Sequence, residues 1–159
     1  MLKIYISIII YLRGVNMDAN LKRSIILEHY QNPKNRGLID DHNYIKSNMN
    51  NESCIDEIDL MVKVDKGIIT DIRFDGEACA ICTSATSIMI DTLIGKSVEE
   101  VKKIYEQYNN MIEEKEYDEN VFEQAIVYDD ISKQPSRKKC ALLPWWGIEK
   151  IVKIVEKQK

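Results

Sequence analysis

Residues 58–74 decide the fold, and their sequence is IDLMVKVDKGIITDIRF. Apolar and polar residues alternate on both sides of the central Asp65-Lys66-Gly67, which is typical of strands with one buried face. The alternating residues are Ile58, Leu60, Val62 and Val64 in the first half and Ile68, Thr70, Ile72 and Phe74 in the second. Because Asp and Gly favour tight turns, the stretch predicts an antiparallel β-hairpin.

Helical patterns lie on both sides of this hairpin. A first amphipathic helix is predicted to begin at Asp18 or Asn20, either of which can cap it, and to stop at Asn32-Pro33. After the hairpin, Asp75-Gly76 is predicted to end the second strand. A hydroxyl among residues 83–87 is then a candidate cap for the next helix.

The sequence patterns in the second half of the chain also predict mainly helices. Ser97 and Glu100 have the spacing of a capping box and predict the start of a helix. The charged residues 109–120 predict a loop, and the apolar pattern after Pro144 predicts a terminal amphipathic helix. The fold class expected from these elements is α+β, with a small antiparallel sheet of about three strands packed against helices.

Length and composition indicate one domain. A chain of 159 residues with 45% hydrophobic residues can bury a core of its own, and we expect a single domain over residues 17–159. Residues 1–16 are expected to form a non-core N-terminal extension. The apolar run within it, residues 4–12, is too short to span a bilayer and is followed by no small-residue cleavage site. We therefore expect neither membrane insertion nor export, and Met17 is an alternative translation start.

Charge and cysteine content narrow the function classes. The 22 basic and 26 acidic residues are mixed along the chain, so no basic field exists to attract nucleic acid. Disulfide-built domains are usually smaller and richer in cysteine than a chain with four. We therefore expect a cytoplasmic protein.

Three of the cysteines predict a metal or sulfur site. Cys54, Cys79 and Cys140 are each expected at or next to a loop at the end of an element, where functional groups are usually presented. Asp56, two residues after Cys54, adds a harder ligand, and together they suggest a Cys3Asp site for zinc or iron. The alternative is that some of these are ordinary buried cysteines. Cys79 is also predicted near a helix N-terminus, where free amides lower a thiol pKa.

Cys82, His29 and His42 are further candidates for a functional site. Cys79 and Cys82 form a C-x-x-C pair, but a redox dithiol of the thioredoxin kind would follow a strand of a parallel βαβ unit rather than a hairpin. His29 is expected to be a hydrogen-bonded structural residue, and His42 lies in a polar loop with no nearby ligand partner. Neither histidine is assigned to the site.

Four motifs together resemble one known family, the SufU-type proteins within the wider family of IscU and NifU N-terminal scaffolds. They are EHYQNPKNRG at residues 28–37, N-x-x-C-x-D at 51–56, FDGEAC at 74–79, and P-x-R-x-x-CALL-x-W at 135–145. Two positions depart from the family pattern, since Ile55 and Ala78 occur where the family usually has glycine. IscU-type scaffolds place a histidine immediately before the last cysteine, whereas this chain has Lys139, as SufU-type proteins do.

The resemblance implies a specific site and partner. It implies a zinc ion held by Cys54, Asp56, Cys79 and Cys140, with Cys140 accepting sulfur from the persulfide of a SufS-type cysteine desulfurase. In the family, a desulfurase histidine replaces the last cysteine on zinc when the two proteins dock. Arg137 matches a family arginine in the desulfurase contact, although a solvated cation is an equally good interpretation. Downstream Suf scaffold proteins are the implied recipients of the sulfur.

Two other functions stay open on the sequence. The same four ligands suit an iron–sulfur cluster as well as zinc, so a scaffold carrying a transient cluster is the main alternative. Lys139 favours the sulfur carrier over that scaffold. A purely structural zinc domain is the third possibility.

Overall fold

The computed structural model describes residues 17–52 and 54–158. The predicted extension over residues 1–16 lies outside the described residues. In chain order, the helices and strands are α1 (Ala19–Gln31), β1 (Ile45–Asn50), β2 (Glu57–Asp65), β3 (Ile68–Glu77), α2 (Ala80–Leu93), α3 (Val98–Ile112) and α4 (Pro135–Lys157). Three short 3-10 turns, Glu119–Val121, Gln124–Tyr128 and Ile131–Lys133, connect α3 to α4. The architecture is the predicted α+β class.

The sheet has three antiparallel strands in the order β1-β2-β3. The hairpin of β2 and β3 is confirmed, but the buried face of β3 differs from the predicted one. Ile69 is buried and Ile68 is exposed, because a bulge opposite the Lys63–Val64 step leaves Thr70 without a pairing partner in the register. One extra residue moves every side chain on the turn side of the bulge to the other face.

β1 and the end of β3 are the parts of the sheet that are hardest to identify from sequence. β1 buries only Met49 among its six residues, so its alternation is too weak to identify from sequence. β3 continues through Gly76 to Glu77, and the prediction that Asp75-Gly76 ends the strand was wrong. Gly76 pairs with Ile58 across the hairpin.

Helix α4 packs across the sheet and carries Cys140. It begins at Pro135 rather than after Pro144, so Cys140 lies in its second turn and not beside a loop as expected. Proline is well suited to the first helical position. Pro144 is tolerated inside the helix, although it has no N–H to donate to the Cys140 carbonyl one turn earlier. A Cβ on the buried Gly147 would come within 2.5 Å of Leu60 Cδ1, so glycine permits this close contact with the sheet.

Two helix starts follow local rules. Asp18 caps α1 by accepting the Leu21 N–H at 2.8 Å, and Ser97 caps α3 by accepting the Glu100 N–H at 3.1 Å. Both caps confirm the prediction. The predicted loop over residues 109–120 was partly wrong, since α3 continues to Ile112.

A cluster of aromatic residues fixes α4 against α3. The rings of Tyr108 and Trp145 stack with centroids 4.3 Å apart, and the Tyr108 hydroxyl donates to the Ala141 carbonyl at 2.9 Å. Trp145 is buried and Trp146 is half-buried. The turn that carries Cys140 is therefore held against α3.

Among the described residues, no helix is long and apolar enough to cross a membrane.

Candidate metal centre

Four side chains from separate parts of the chain converge at one end of the sheet. Each of Cys54, Asp56, Cys79 and Cys140 offers a ligand atom, and these atoms all lie within 4.8 Å of one another. Cys54 and Asp56 belong to the connection between β1 and β2, Cys79 precedes α2, and Cys140 comes from α4. The structure thus brings together all four residues that the sequence grouped.

Asp56 is the buried centre of this cluster, with 1% of its surface exposed. Its Oδ1 accepts the backbone N–H of Cys79 at 2.7 Å, and its Oδ2 lies 3.7 Å from the Cys79 sulfur. Backbone bonds from Asn51 N–H to the Asp56 carbonyl and from Cys54 N–H to the Asn51 carbonyl, at 2.9 and 3.0 Å, hold the turn closed. The Asp56 carboxylate is therefore held in place without a bound metal ion.

Cys79 is itself the N-cap of α2, so the predicted hydroxyl cap among residues 83–87 was wrong. Its sulfur accepts the backbone N–H of Cys82 at 3.4 Å. Burial raises the pKa of the Cys79 thiol more than this hydrogen bond lowers it. The lowered pKa expected from the helix terminus therefore does not result, because desolvation outweighs the amide.

Cys140 is buried, and its sulfur lies 4.0 Å from the Ser136 carbonyl oxygen. Burial raises the pKa of the Cys140 thiol well above its ordinary value, and the neighbouring Asp56 and Cys79 raise it further. The pKa of the exposed Arg137, three residues before Cys140, is raised, mainly by its interaction with Cys140. When ionised, these cysteines would repel one another as thiolates, and a bound cation would offset that repulsion.

The donor set fits a tetrahedral zinc ion. Zinc–sulfur bonds of about 2.3 Å place tetrahedral ligand atoms about 3.8 Å apart. The four atoms here, all within 4.8 Å of one another, need only a small contraction to reach that spacing. Three thiolates and one carboxylate also suit iron, so the geometry alone admits either metal.

Gly76 positions the site, a role that sequence reasoning missed. It has a φ of +139°, and a Cβ at this position would lie 2.1 Å from the Glu57 carbonyl oxygen. Only glycine permits this approach, which brings the segment before Cys79 beside the one after Asp56. The sequence signal was present in Asp75-Gly76, but it was interpreted as a strand end.

The two departures from the family's glycine pattern do not strain the backbone. Neither Ile55 nor Ala78 is among the described residues with positive φ. Each position accommodates a side chain in an ordinary conformation. Ile55 projects into solvent with 74% of its surface exposed, between two candidate ligands.

The remaining cysteine and histidines lie outside the cluster of candidate ligands. Cys82 is fully buried in the hydrophobic core. His29 is buried and its ring bonds Ser87 and Gln124, which confirms the predicted hydrogen-bonded structural role. His42 is exposed.

Comparison with known proteins identifies the family. The model of the NifU-like N terminal domain matches residues 21–141. The chain belongs to this family. The zinc-dependent sulfurtransferase SufU of Bacillus subtilis is 38% identical to this NifU-like chain over 138 residues, which cover 86% of the chain and 92% of that relative. The iron–sulfur cluster assembly scaffold protein IscU of Thermotoga maritima is 33% identical, covering 83% of the chain and 92% of that relative.

Solved structures of this NifU-like family share the fold. A putative iron–sulfur cluster assembly scaffold protein for the SUF system from Fervidobacterium islandicum superposes with a TM-score of 0.74 at 36% identity, covering 79% of the chain and 91% of that structure. The N-terminal part of a NifU-like protein from Brucella abortus gives a TM-score of 0.77 at 19% identity, covering 85% and 94%. Because its identity is only 19%, the Brucella abortus structure supports the shared fold and nothing further.

Proposed function

We propose that this NifU-like protein is a zinc-dependent sulfur carrier that accepts persulfide sulfur from a SufS-type cysteine desulfurase for iron–sulfur cluster assembly. The observation that carries the proposal is the convergence of Cys54, Asp56, Cys79 and Cys140 within 4.8 Å. This convergence occurs in a chain that is 38% identical to a zinc-dependent sulfurtransferase.

In this proposal, the four residues hold the metal and Cys140 accepts the sulfur. Zinc supplies a positive charge that keeps thiols deprotonated and protected from oxidation. Asp56 and Cys79 are tied to each other by a hydrogen bond, and both come from the end of the β2–β3 hairpin. Cys140 is the only ligand on α4, so it can leave the site without disturbing the hairpin ligands.

The sulfur transfer is a thiolate exchange. The Cys140 thiolate attacks the outer sulfur of the desulfurase persulfide and forms a new S–S bond, while the bond inside the donor persulfide breaks. The desulfurase cysteine leaves as a thiolate with the bonding electron pair, so no external oxidant or reductant is consumed. Cys140 then carries the persulfide for delivery to a downstream Suf scaffold protein.

Arg137 is positioned to assist the transfer and the docking. The pKa of its exposed guanidinium is raised, first by its interaction with Cys140 and then by the charges of Cys79 and Cys54. A cation there attracts the anionic persulfide and steadies the freed Cys140 thiolate. We propose Arg137 as a contact with the desulfurase for this reason.

Four free cysteines, two of them part-exposed, agree with a reducing cytoplasmic setting.

A cluster scaffold is the second candidate, since an IscU relative is 33% identical over most of the chain. The same ligands would then hold iron and sulfide. Lys139, beside Cys140, favours the carrier, because the scaffold branch places a histidine at that position and a lysine ammonium is not a metal ligand.

The test is a desulfurase assay with a SufS-type enzyme from the same organism, free cysteine and this protein. Wild type should raise alanine formation several-fold and acquire one extra sulfur at Cys140 by mass spectrometry. Cys140→Ser should do neither, whereas Cys82→Ala, a control at the buried cysteine, should behave like wild type. Equal stimulation by Cys140→Ser would contradict the proposal.

A further inference from the structure

Ile55 is the most exposed large apolar side chain in the part of the chain that the structure describes. With 74% of its surface in solvent, it exceeds the next most exposed, Leu27, at 50%. Isolated apolar residues on a surface are common and need no explanation by themselves. Ile55 differs because it stands between Cys54 and Asp56, two of the four candidate metal ligands.

The backbone does not require a large apolar residue at this position. The Ile55 backbone is not in the positive-φ region, so a residue of any type fits the position. The side chains on either side turn inward, with Asp56 buried and Cys54 half-buried. The turn therefore presents Ile55 to solvent while it directs its neighbours to the metal centre.

A protein that delivers sulfur to Cys140 comes close to this position. Forming the new bond brings the donor sulfur to about 2.05 Å from the Cys140 sulfur. Before the transfer, the Cys54 sulfur lies within 4.8 Å of the Cys140 sulfur, and Ile55 is the next residue after Cys54. The donor protein's surface around its persulfide therefore approaches the turn that presents Ile55 to solvent.

The other residues that flank the ligands are small or charged. Ala78 and Ala80 stand on either side of Cys79 and extend no further than a methyl group, and Lys139 precedes Cys140. Ile55 is thus the one large apolar group among the immediate sequence neighbours of the four ligands. Apolar groups desolvated near the centre of an interface carry much of its binding energy.

We propose that Ile55 is a docking residue that inserts into an apolar recess beside the persulfide of the cysteine desulfurase. This inference rests on the proposed function and names the surface through which the partner is recognised. The recess makes docking selective, because a partner with a polar group at that place would bury it without a hydrogen bond.

The test compares matched isoleucine variants in a titration of the desulfurase with zinc-loaded protein. Ile55→Ala should raise the half-saturating concentration about tenfold, or about 1.4 kcal/mol, with the maximal stimulation and zinc content unchanged. Ile55→Leu should restore most of the affinity. Ile154→Ala is the control, since Ile154 is 39% exposed near the far end of α4, about 21 Å from Cys140 at 1.5 Å per residue.

The outcomes separate this inference from the proposed function. If wild type stimulates the desulfurase and Ile55→Ala matches it within twofold, the docking role is wrong and the sulfur-carrier function stands. If Ile154→Ala loses as much affinity as Ile55→Ala, the effect is not specific to Ile55 and the docking role is likewise overturned. If sedimentation shows that Ile55→Ala abolishes a dimer of this protein and leaves desulfurase binding intact, a second copy is the occupant. If wild type neither binds nor stimulates the desulfurase, the function itself fails.

Discussion

The backbone N–H of Cys79 donates to Oδ1 of Asp56 at 2.7 Å, while the Cys79 sulfur lies 3.7 Å from Oδ2 of the same carboxylate. One oxygen therefore anchors the start of α2, and the other faces the thiols. Asp56 therefore has a structural role beside its proposed role as a metal ligand, and the two roles can be separated by substitution.

Asp56→Asn should keep the fold and lose metal affinity. The amide oxygen can still accept the Cys79 N–H, but the anionic ligand is gone, so zinc affinity should fall at least tenfold. Asp56→Ala also loses the acceptor and should cost a further ~1–2 kcal/mol of unfolding free energy in the zinc-free protein. Chelator competition and urea unfolding measure the two effects. Wild-type zinc affinity in Asp56→Ala would exclude Asp56 as a ligand.

Gly76→Ala should be severely destabilising. Its Cβ would lie 2.1 Å from the Glu57 carbonyl oxygen at a φ of +139°, so we expect a loss of about 3 kcal/mol or more in urea unfolding. Gly67→Ala is the control, because Gly67 also has positive φ but no atom lies within 4 Å of its added Cβ. That variant should lose only ~1–2 kcal/mol. Equal losses would mean that the close approach at Gly76 is unimportant.

Cys82→Ala should leave metal binding intact. Cys82 is fully buried in the core and its backbone N–H donates to the Cys79 sulfur, so we expect its side chain to contribute packing, worth about 1 kcal/mol. Zinc content should stay at the wild-type level, whereas Cys79→Ala should lose it. Metal analysis of both variants decides the point, and zinc loss in Cys82→Ala would assign the C-x-x-C pair to the site.

Zinc affinity should fall as the pH falls. Burial raises the pKa of the Cys79 and Cys140 thiols, so protons compete strongly with the metal below those values. At equilibrium, wild type should release about three protons per zinc between pH 8 and 6, and Cys140→Ser about two, because serine does not ionise. Competition titrations at several pH values give these slopes. Identical slopes would show that Cys140 is not bound as a thiolate.

Local signals in the sequence identified the parts of the fold that local chemistry determines. Asp18 and Ser97 cap their helices as predicted, since a side chain that satisfies a nearby N–H needs no tertiary contact. The hairpin of β2 and β3 was likewise predictable. The four site residues were grouped from their residue types and family motifs, and the structure places them together. Their roles as ligands stay predictions.

The errors arose where tertiary contacts decide the structure. The bulge at Thr70 reverses the face of Ile68 and Ile69, and periodicity alone cannot reveal an inserted residue. Pro144 predicts a helix boundary, yet α4 runs through it because both faces of the helix are packed around that point. The same packing places Cys140 within a helix. Gly76 predicts a strand end from its local sequence, because its close backbone contact forms only across the sheet.

The proposed function depends on a zinc ion held by Cys54, Asp56, Cys79 and Cys140. Elemental analysis of the untagged protein, purified without oxygen beside its Cys140→Ser form, measures this metal content. We expect about one zinc per chain in wild type, no iron or acid-labile sulfide, and weaker zinc retention in Cys140→Ser. Stoichiometric iron and sulfide, or no metal at all, would contradict it.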